Sequence, residues 1–282
     1  MYKIGIIGNG FVGNAVAKGF SQQFNYNAQI KIYDINPKKS VNNLEDTVND
    51  SDFIFLSVPT PVNALGEIDL SIVNKAIEDI SMVSTKENII LLRSTVVPGT
   101  SENFQKKYAN LNIVFNPEFL TERNAIKDFV NQDRIILGGK NRHVSEVEKL
   151  YKDRFGTDLP FIKTDFKTAE FIKYINNAFL ATKVSFMNEM KIFADKLNID
   201  WKVAVDGFKL DSRVGNSHND VPGHDGKLGF GGSCLPKDIQ ALISFAEIND
   251  IDMNILKAVW KVNLQVRSEK DWEQLKGRAI NE

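Results

Sequence analysis

Cysteine is almost missing from this sequence: among 282 residues there is one, Cys234. A single thiol excludes an internal disulfide and a multi-cysteine zinc site, and fits a reducing, cytoplasmic setting. An excess of one charge is missing too. With 35 basic and 36 acidic side chains the formal net charge is -1, so nothing draws the whole chain onto phosphate backbones and nucleic acid is not an expected partner. No run approaches the roughly 18 apolar residues of a spanning helix, and Met1 to Ile7 reads as a strand where a signal peptide would be basic and then apolar. No membrane partner is expected. Repeats, low-complexity tracts and blocks of like charge are also lacking. What remains is ordinary globular composition, 43% hydrophobic and 25% charged, at a length that suits about two domains.

Short apolar runs recur through the first part, at Lys3 to Gly8, Gln29 to Asp34, Asp52 to Val58, Asn88 to Ser94, Asn112 to Asn116 and Arg134 to Gly139. Helical patterns lie between several of them, as at Phe11 to Phe20 and Leu70 to Val83. Strands with apolar interiors alternating with helices predict an α/β, doubly wound, Rossmann-type parallel sheet over residues 1–164, with ligands beyond the carboxyl ends of its strands. After Pro160 the texture changes. From Asp165, a candidate N-cap, to Asn198 there is no Gly or Pro, and Phe171, Ile175, Ala178, Phe186, Met190 and Phe193 recur at helical spacing, with Thr182 as a break. A helix of about 33 residues, roughly 50 Å long, is expected to join domains or subunits. A short helix near Trp201 to Phe208, a glycine-rich loop from Asp211 to Gly232, and helices from about Pro236 to Asn249 and Met253 to Leu275 complete a small all-helical domain over 165–275.

Gly8, Gly10 and Gly13 form G-x-G-x-x-G. Alone the pattern is weak, but here it follows a strand, opens a helix with Phe11 and Val12, and has Asp34 ending the next strand about 20 residues on. The glycines allow the tight turn, the approach of a pyrophosphate and close helix packing, with the helix N-terminus facing phosphate charge. Asp34 accepts from ribose hydroxyls and repels a 2′-phosphate, so NAD is the expected cofactor over NADP; Lys38 and Lys39 temper that exclusion.

Cys234 lies in GFGGSCLPKD, Gly229 to Asp238. Glycines there let backbone N–H groups approach a ligand, Pro236 suits a first helical turn, and a thiol at a helix N-terminus beside Lys237 ionises more easily. A lone cysteine is usually a buried hydrophobe, but these neighbours argue for reactivity. Lys173 and Asn177 are four apart and share one helix face. Glu118 and Glu122 follow a strand end in NPEFLTER, and Thr95 follows another in RSTVVPGT. His218, Asp220, His224 and Asp225 share one loop, but their spacing supports no metal site and none is expected.

These segments occur in a familiar order. GNGFVG, VPTP (Val58 to Pro61), STVVPGT, NPEFLTE, EFIKYINNAFLATKVSFMNE (Glu170 to Glu189) and GFGGSCLPKD make the chain, to about residue 275, resemble the UDP-glucose/GDP-mannose dehydrogenase family of nucleotide-sugar 6-dehydrogenases. The resemblance implies oxidation of a sugar C6 alcohol to an acid with two NAD, UDP-glucose to UDP-glucuronate by preference. It makes Cys234 the nucleophile that carries a thiohemiacetal and then a thioester, Lys173 and Asn177 the pair that holds the C6 oxygen, and Asp238 an acid beside the thiol. Thr95, Glu118 and Glu122 match residues that position water and move protons, with the base unassigned among the carboxylates. Asp34 and Lys39 match ribose contacts; Pro59, Thr60, Ser94, Thr95 and Glu122 line the cofactor; Phe119, Leu120, Phe230 and Gly231 join Lys173 and Asn177 on the substrate side. Arg213 resembles an arginine reaching the sugar nucleotide of the neighbouring subunit, in a homodimer built on the long helix.

The family continues into a third domain supplying much of the nucleotide pocket, and residues 276–282 resemble its opening. Two other functions compete. One is a relative that binds NAD with little or no turnover; the other is a two-electron hydroxyacid dehydrogenase, which needs the lysine and asparagine but no cysteine.

Overall fold

The computed structural model describes residues 1–281. The chain divides into two compact units, Met1–Thr60 with Leu70–Lys173, and Pro61–Asp69 with Tyr174 onward.

The first unit is built on a seven-stranded sheet of β1 (Lys3–Ile7), β2 (Gln29–Tyr33), β3 (Phe53–Leu56), β4 (Ile89–Leu92), β5 (Asn112–Phe115), β6 (Ile135–Gly139) and β7 (Phe161–Thr164), in the order β2-β1-β3-β4-β5-β6-β7. β3 and β4 are buried at every residue, as strands covered on both faces must be. One apolar cluster, around Phe20, Phe55, Phe129 and Tyr151, covers one face of the sheet. A second, around Ile54, Ile77, Leu92 and Phe115, covers the other. Helices α1 (Phe11–Gly19), α2 (Leu44–Asn49), α3 (Ser71–Val83), α4 (Thr100–Lys107), α5 (Ala125–Val130) and α6 (Asn141–Phe155) supply the covering side chains.

Two features depart from the sequence reading. β6 pairs antiparallel to β5, so the sheet is mostly and not wholly parallel, and β7, short and half exposed at the sheet edge, is an additional strand. The strand order reverses between β1, which leads outward to β2, and β3, which leads the other way to β4. Ligands of doubly wound sheets lie at such a switch point.

α7 (Phe166–Lys196) is a single helix of 31 residues, capped as expected by Asp165, whose Oδ1 accepts the Thr168 N–H at 2.9 Å. Thr182, which interrupts the apolar spacing, donates its hydroxyl to the Ala178 carbonyl at 2.8 Å, a local bond that a helix tolerates. Its faces do not divide as in an ordinary amphipathic helix, since the buried side holds polar side chains alongside Ala169, Tyr174, Ala178, Ala181 and Met187. Phe171, Ile175, Phe179, Phe186 and Phe193 are exposed, while Glu170, Lys173, Asn177, Ser185 and Asn188 are buried.

The rest of the second unit comprises α8 (Trp201–Lys209), α9 (Leu235–Ile248) and α10 (Asn254–Val266), with the segment 61–69 bridged to the chain end through Val62 and Ile280. α10 is shorter than the expected helix to Leu275. It stops where Arg267 turns inward to the Asp225 and Asp271 carboxylates, and a left-handed Lys270 and a 3₁₀ turn at Asp271–Gln274 follow.

Candidate functional site

In the first unit, the carboxyl ends of β1 to β5 share one edge because those strands are parallel. Gly8 follows β1 with φ +88°, a left-handed value that favours glycine, and a side chain there would strike the Ser57 carbonyl at 2.6 Å. Gly13 sits against the Gly8 carbonyl, which a methyl group would meet at 2.0 Å. Gly10 differs from both, since a Cβ there would meet nothing within 4 Å. That open space beside the N-terminus of α1 is the cradle a pyrophosphate needs. Phe11 and Val12 open the helix, and Asp34 follows β2 with its carboxylate accepting the N–H groups of Asn9 at 2.7 Å and Asn36 at 2.8 Å. The Lys39 carbonyl accepts from the Asn9 amide at 2.8 Å. The turn and the acidic residue thus fit a dinucleotide.

The next two strand ends are tied together. The Ser94 hydroxyl donates to the Val58 carbonyl at 2.7 Å, and the Thr60 hydroxyl to the Thr95 carbonyl at 2.8 Å, so the loop with Pro59 after β3 and the loop with Thr95 after β4 hold each other beside the switch point. After β5, Glu118 is buried. Its carbonyl accepts from Lys173 Nζ at 2.5 Å and its Oε1 lies 3.1 Å from the same ammonium, while Oε2 accepts the Leu120 N–H. Lys173 Nζ also stands 5.2 Å from the Phe119 ring centre. A lysine 3% exposed keeps its charge only with such partners. Glu122 is exposed at the head of a 3₁₀ turn, away from the burial that holds Glu118.

Glu170, which sequence reasoning did not single out as a site residue, anchors the start of α7. Fully buried, it accepts the N–H groups of Gly99 at 2.6 Å and Ser101 at 2.7 Å at the N-terminus of α4. Burial pushes its carboxyl above the ordinary glutamate range, against these hydrogen bonds that favour the charged form. A cleft of about 430 Å³ opens at the opposite, amino-terminal edge of the strands, lined by Asp52, Glu87, Arg142 and His143 among others. None of the predicted site residues lines it.

In the second unit, Cys234 is the N-cap residue of α9 and Pro236 lies in its first turn. The thiol lies 3.7 Å from the Ser233 hydroxyl. One turn into the helix, Asp238, 2% exposed, forms an ion pair with Lys237 and accepts from the Asn177 amide at 2.6 Å. Asn177 and Asp238, far apart in sequence, therefore form one buried polar contact. Arg213 is exposed and paired with Asp211 through Nε at 2.9 Å.

The glycine loop behaves otherwise than expected. Its N–H groups do not stand ready for a ligand at Gly229, Phe230 and Gly232, because these donate to Asn188 Oδ1 at 3.0 Å, Asn263 Oδ1 at 2.7 Å and Asp271 Oδ2 at 2.9 Å. Asn263 also donates to the Phe230 carbonyl at 3.0 Å. These holding residues were missed, although one signal was there: Leu256, Val259, Asn263 and Arg267 follow one helix face, and a polar residue at a core position implies a buried partner. Asp220 and Asp225, weighed as metal ligands, instead pair with Lys209 and Arg267.

The model of the UDP-glucose/GDP-mannose dehydrogenase family, NAD binding domain, matches residues 38–154, and that of the family's central domain matches residues 167–265. A UDP-glucose 6-dehydrogenase of Rickettsia bellii is 40% identical over 77% of this chain and 50% of its own length. One of Bacillus subtilis is 32% identical over 95% of this chain and 64% of its own. The solved UDP-glucose dehydrogenase of Pyrobaculum islandicum superposes with a TM-score of 0.83 at 30% identity, covering 94% of this chain and 68% of that one. A 3-hydroxyisobutyrate dehydrogenase of Mycobacterium tuberculosis, 14% identical with a TM-score of 0.75, shares the fold alone. The chain spans about half the length of the Rickettsia relative. With its NAD-binding domain followed by the central domain, it belongs to the UDP-glucose/GDP-mannose dehydrogenase family.

Proposed function

We propose that this chain oxidises a nucleotide sugar at C6, UDP-glucose to UDP-glucuronate, in two successive two-electron steps through Cys234. The observation that carries the reading is the placing of the thiol at the N-terminus of α9, one turn from the buried Asp238 that Lys237 and Asn177 hold. NAD, when bound, supplies the hydride acceptor for each step. Gly8, Gly10 and Gly13 receive its pyrophosphate and Asp34 its ribose hydroxyls, while the tied loops of Thr60 and Ser94 shape the remainder of that cleft.

The first oxidation converts the C6 alcohol to an aldehyde and releases one proton. The Cys234 sulfur then adds to the aldehyde carbon, giving a thiohemiacetal; loss of a hydride and a proton leaves a thioester. Water cleaves it to the acid and frees the thiol. The Lys173 ammonium and the Asn177 amide stabilise negative charge on the C6 oxygen at each stage. Thr95, Glu118 and Glu122 position water and carry protons, and Asp238 takes part beside the thiol. Phe119, Leu120, Phe230 and Gly231 contact the sugar nucleotide.

The exposed apolar stripe of α7, Phe171, Ile175, Phe179, Phe186 and Phe193, supports a homodimer packed along that helix, and exposed Arg213 is suited to reach a neighbouring subunit's substrate. Such an enzyme works in the cytoplasm and supplies uronic-acid precursors for polysaccharides. The test is NADH formation with a panel of UDP- and GDP-sugars, with and without Cys234→Ala. Two NADH per sugar, lost or stalled in the variant, is the expected result; turnover indifferent to Cys234 sinks the thioester route. Sedimentation at micromolar concentration should give a dimer, and a monomer counts against the α7 interface.

A further inference from the structure

The loop that carries Cys234 is held by an ionic cluster built on one buried arginine remote from it in sequence. Arg267, at the end of α10, is 2% exposed. Its guanidinium donates from Nε to Asp271 Oδ1 at 2.7 Å, from Nη2 to Asp225 Oδ2 at 2.7 Å and from Nη1 to the Leu228 carbonyl at 3.3 Å. Asp271 uses its second oxygen on the Gly232 N–H at 2.9 Å. One carboxylate thus joins the guanidinium to the backbone two residues before Cys234. Arg267 also lies flat against Gly231, where a Cβ would come within 2.3 Å of both Nη2 and Asp271 Oδ1.

Burial works to raise the Asp271 carboxyl, but Arg267 and the Gly232 N–H hold it below the ordinary range; Asp225 behaves likewise through Arg267 and the Lys227 N–H. Burial works against the Arg267 charge, and the two carboxylates more than offset it. The cluster therefore stays ionised, and its bonds run to loop backbone at Lys227, Leu228 and Gly232.

We propose that Arg267 and Asp271 are positioning residues that fix the Gly229–Cys234 loop, so that the Cys234 thiol is presented at the N-terminus of α9. The inference deepens the proposed thioester route and rests on it for its consequence in turnover. The consequence for the thiol stands apart. A sulfur held at a helix N-terminus ionises more easily than a free thiol at about 8.5. A loosened loop lets it swing away from that end, toward Asp238 or solvent, and the advantage goes.

The experiment is the pH profile of Cys234 alkylation by iodoacetamide, a clean probe because the chain has no second cysteine. R267M, R267K, D271N and D225N are compared with wild type, with circular dichroism as the check on folding and NAD affinity as a control. Wild type should react with a midpoint below the free-thiol value. In R267M and D271N the midpoint should rise toward it, while NAD affinity stays within about twofold. D225N, which removes the more exposed arm, should shift it less. R267K should not restore the wild-type profile, because an ammonium cannot fork to two carboxylates and a carbonyl at once. kcat for NADH formation should fall about 100-fold in D271N, the usual scale for a small misplacement of a reacting group.

A wild-type midpoint already at the free-thiol value overturns the proposal, as do folded variants whose profiles superimpose on wild type. If R267M and D271N do not fold, D225N decides by the same measure. A wild-type chain that forms no NADH with any sugar nucleotide sinks the proposed function, yet the alkylation profiles still judge the clamp.

Discussion

At Gly8 to Gly13 the chain leaves a strand, turns, and enters α1 with open space beside Gly10; at Gly229 to Gly232 it leaves a long loop and turns toward α9 with Arg267 and Asp271 packed where a side chain of Gly231 would be. Both are glycine-rich turns before a helix, and in the sequence both read as places where backbone meets ligand. In the first, Gly8 and Gly13 let backbone approach backbone so that Gly10 can stay open. In the second, the missing side chain is filled by the protein's own guanidinium, and the N–H groups of Gly229, Phe230 and Gly232 are consumed by Asn188, Asn263 and Asp271. A glycine thus signals close approach, but not what approaches.

The most damaging way to test this contrast is Gly13→Ala. The added methyl group would stand 2.0 Å from the Gly8 carbonyl and 3.0 Å from Ile6 Cγ2, and a backbone oxygen in a tight turn has nowhere to move. Overpacking of this kind costs about 3 kcal/mol. Denaturant unfolding should show that loss, and calorimetry should find NAD binding abolished. A variant of wild-type stability that binds NAD would mean that the turn is looser than described.

A crossed pair comes next. Gly231→Ala drives a methyl group into the Arg267–Asp271 pair and should cost about 1–3 kcal/mol of stability, with NAD affinity unchanged. Gly10→Ala should do the opposite, leaving stability within about 0.5 kcal/mol while weakening NAD at least about tenfold, or about 1.4 kcal/mol. If calorimetry and unfolding gave both variants the same pattern, the two turns would not differ in what fills them.

The pair also marks how far the sequence could be read. Six of the seven strands, the span of α7 and the phosphate turn were legible because periodicity, glycine spacing and Asp34 are local signals. The direction of β6 was not, since alternation of side chains carries no sign of strand polarity. β7 escaped because four half-exposed residues at an edge make no apolar run. The end of α10 was misread for a different reason. Arg267, Glu269, Lys270 and Asp271 look like a solvated charged stretch, yet Arg267 is buried, held by the distant Asp225 and Leu228 as well as by Asp271. Glu170 stayed hidden likewise, because its partners are the backbone N–H groups of Gly99 and Ser101, which no side-chain pattern announces.

The smallest effect belongs to a glycine of neither kind. Gly207 lies inside α8, exposed, with nothing within 4 Å of where a Cβ would stand and no left-handed φ. No ligand turn and no packed side chain requires it, so its main contribution is the extra freedom it gives the unfolded chain. Gly207→Ala should therefore stabilise the protein by about 0.4–1 kcal/mol, with NAD affinity and Cys234 alkylation unchanged. Unfolding measured alongside Gly10→Ala and Gly231→Ala places the three on one scale: open and neutral to folding at Gly10, filled and costly at Gly231, idle and improvable at Gly207. A loss of stability at Gly207 would mean that something outside the single chain packs on α8, and repeating the measurement at different protein concentrations would reveal it, because a covered site loses its penalty when the cover dissociates.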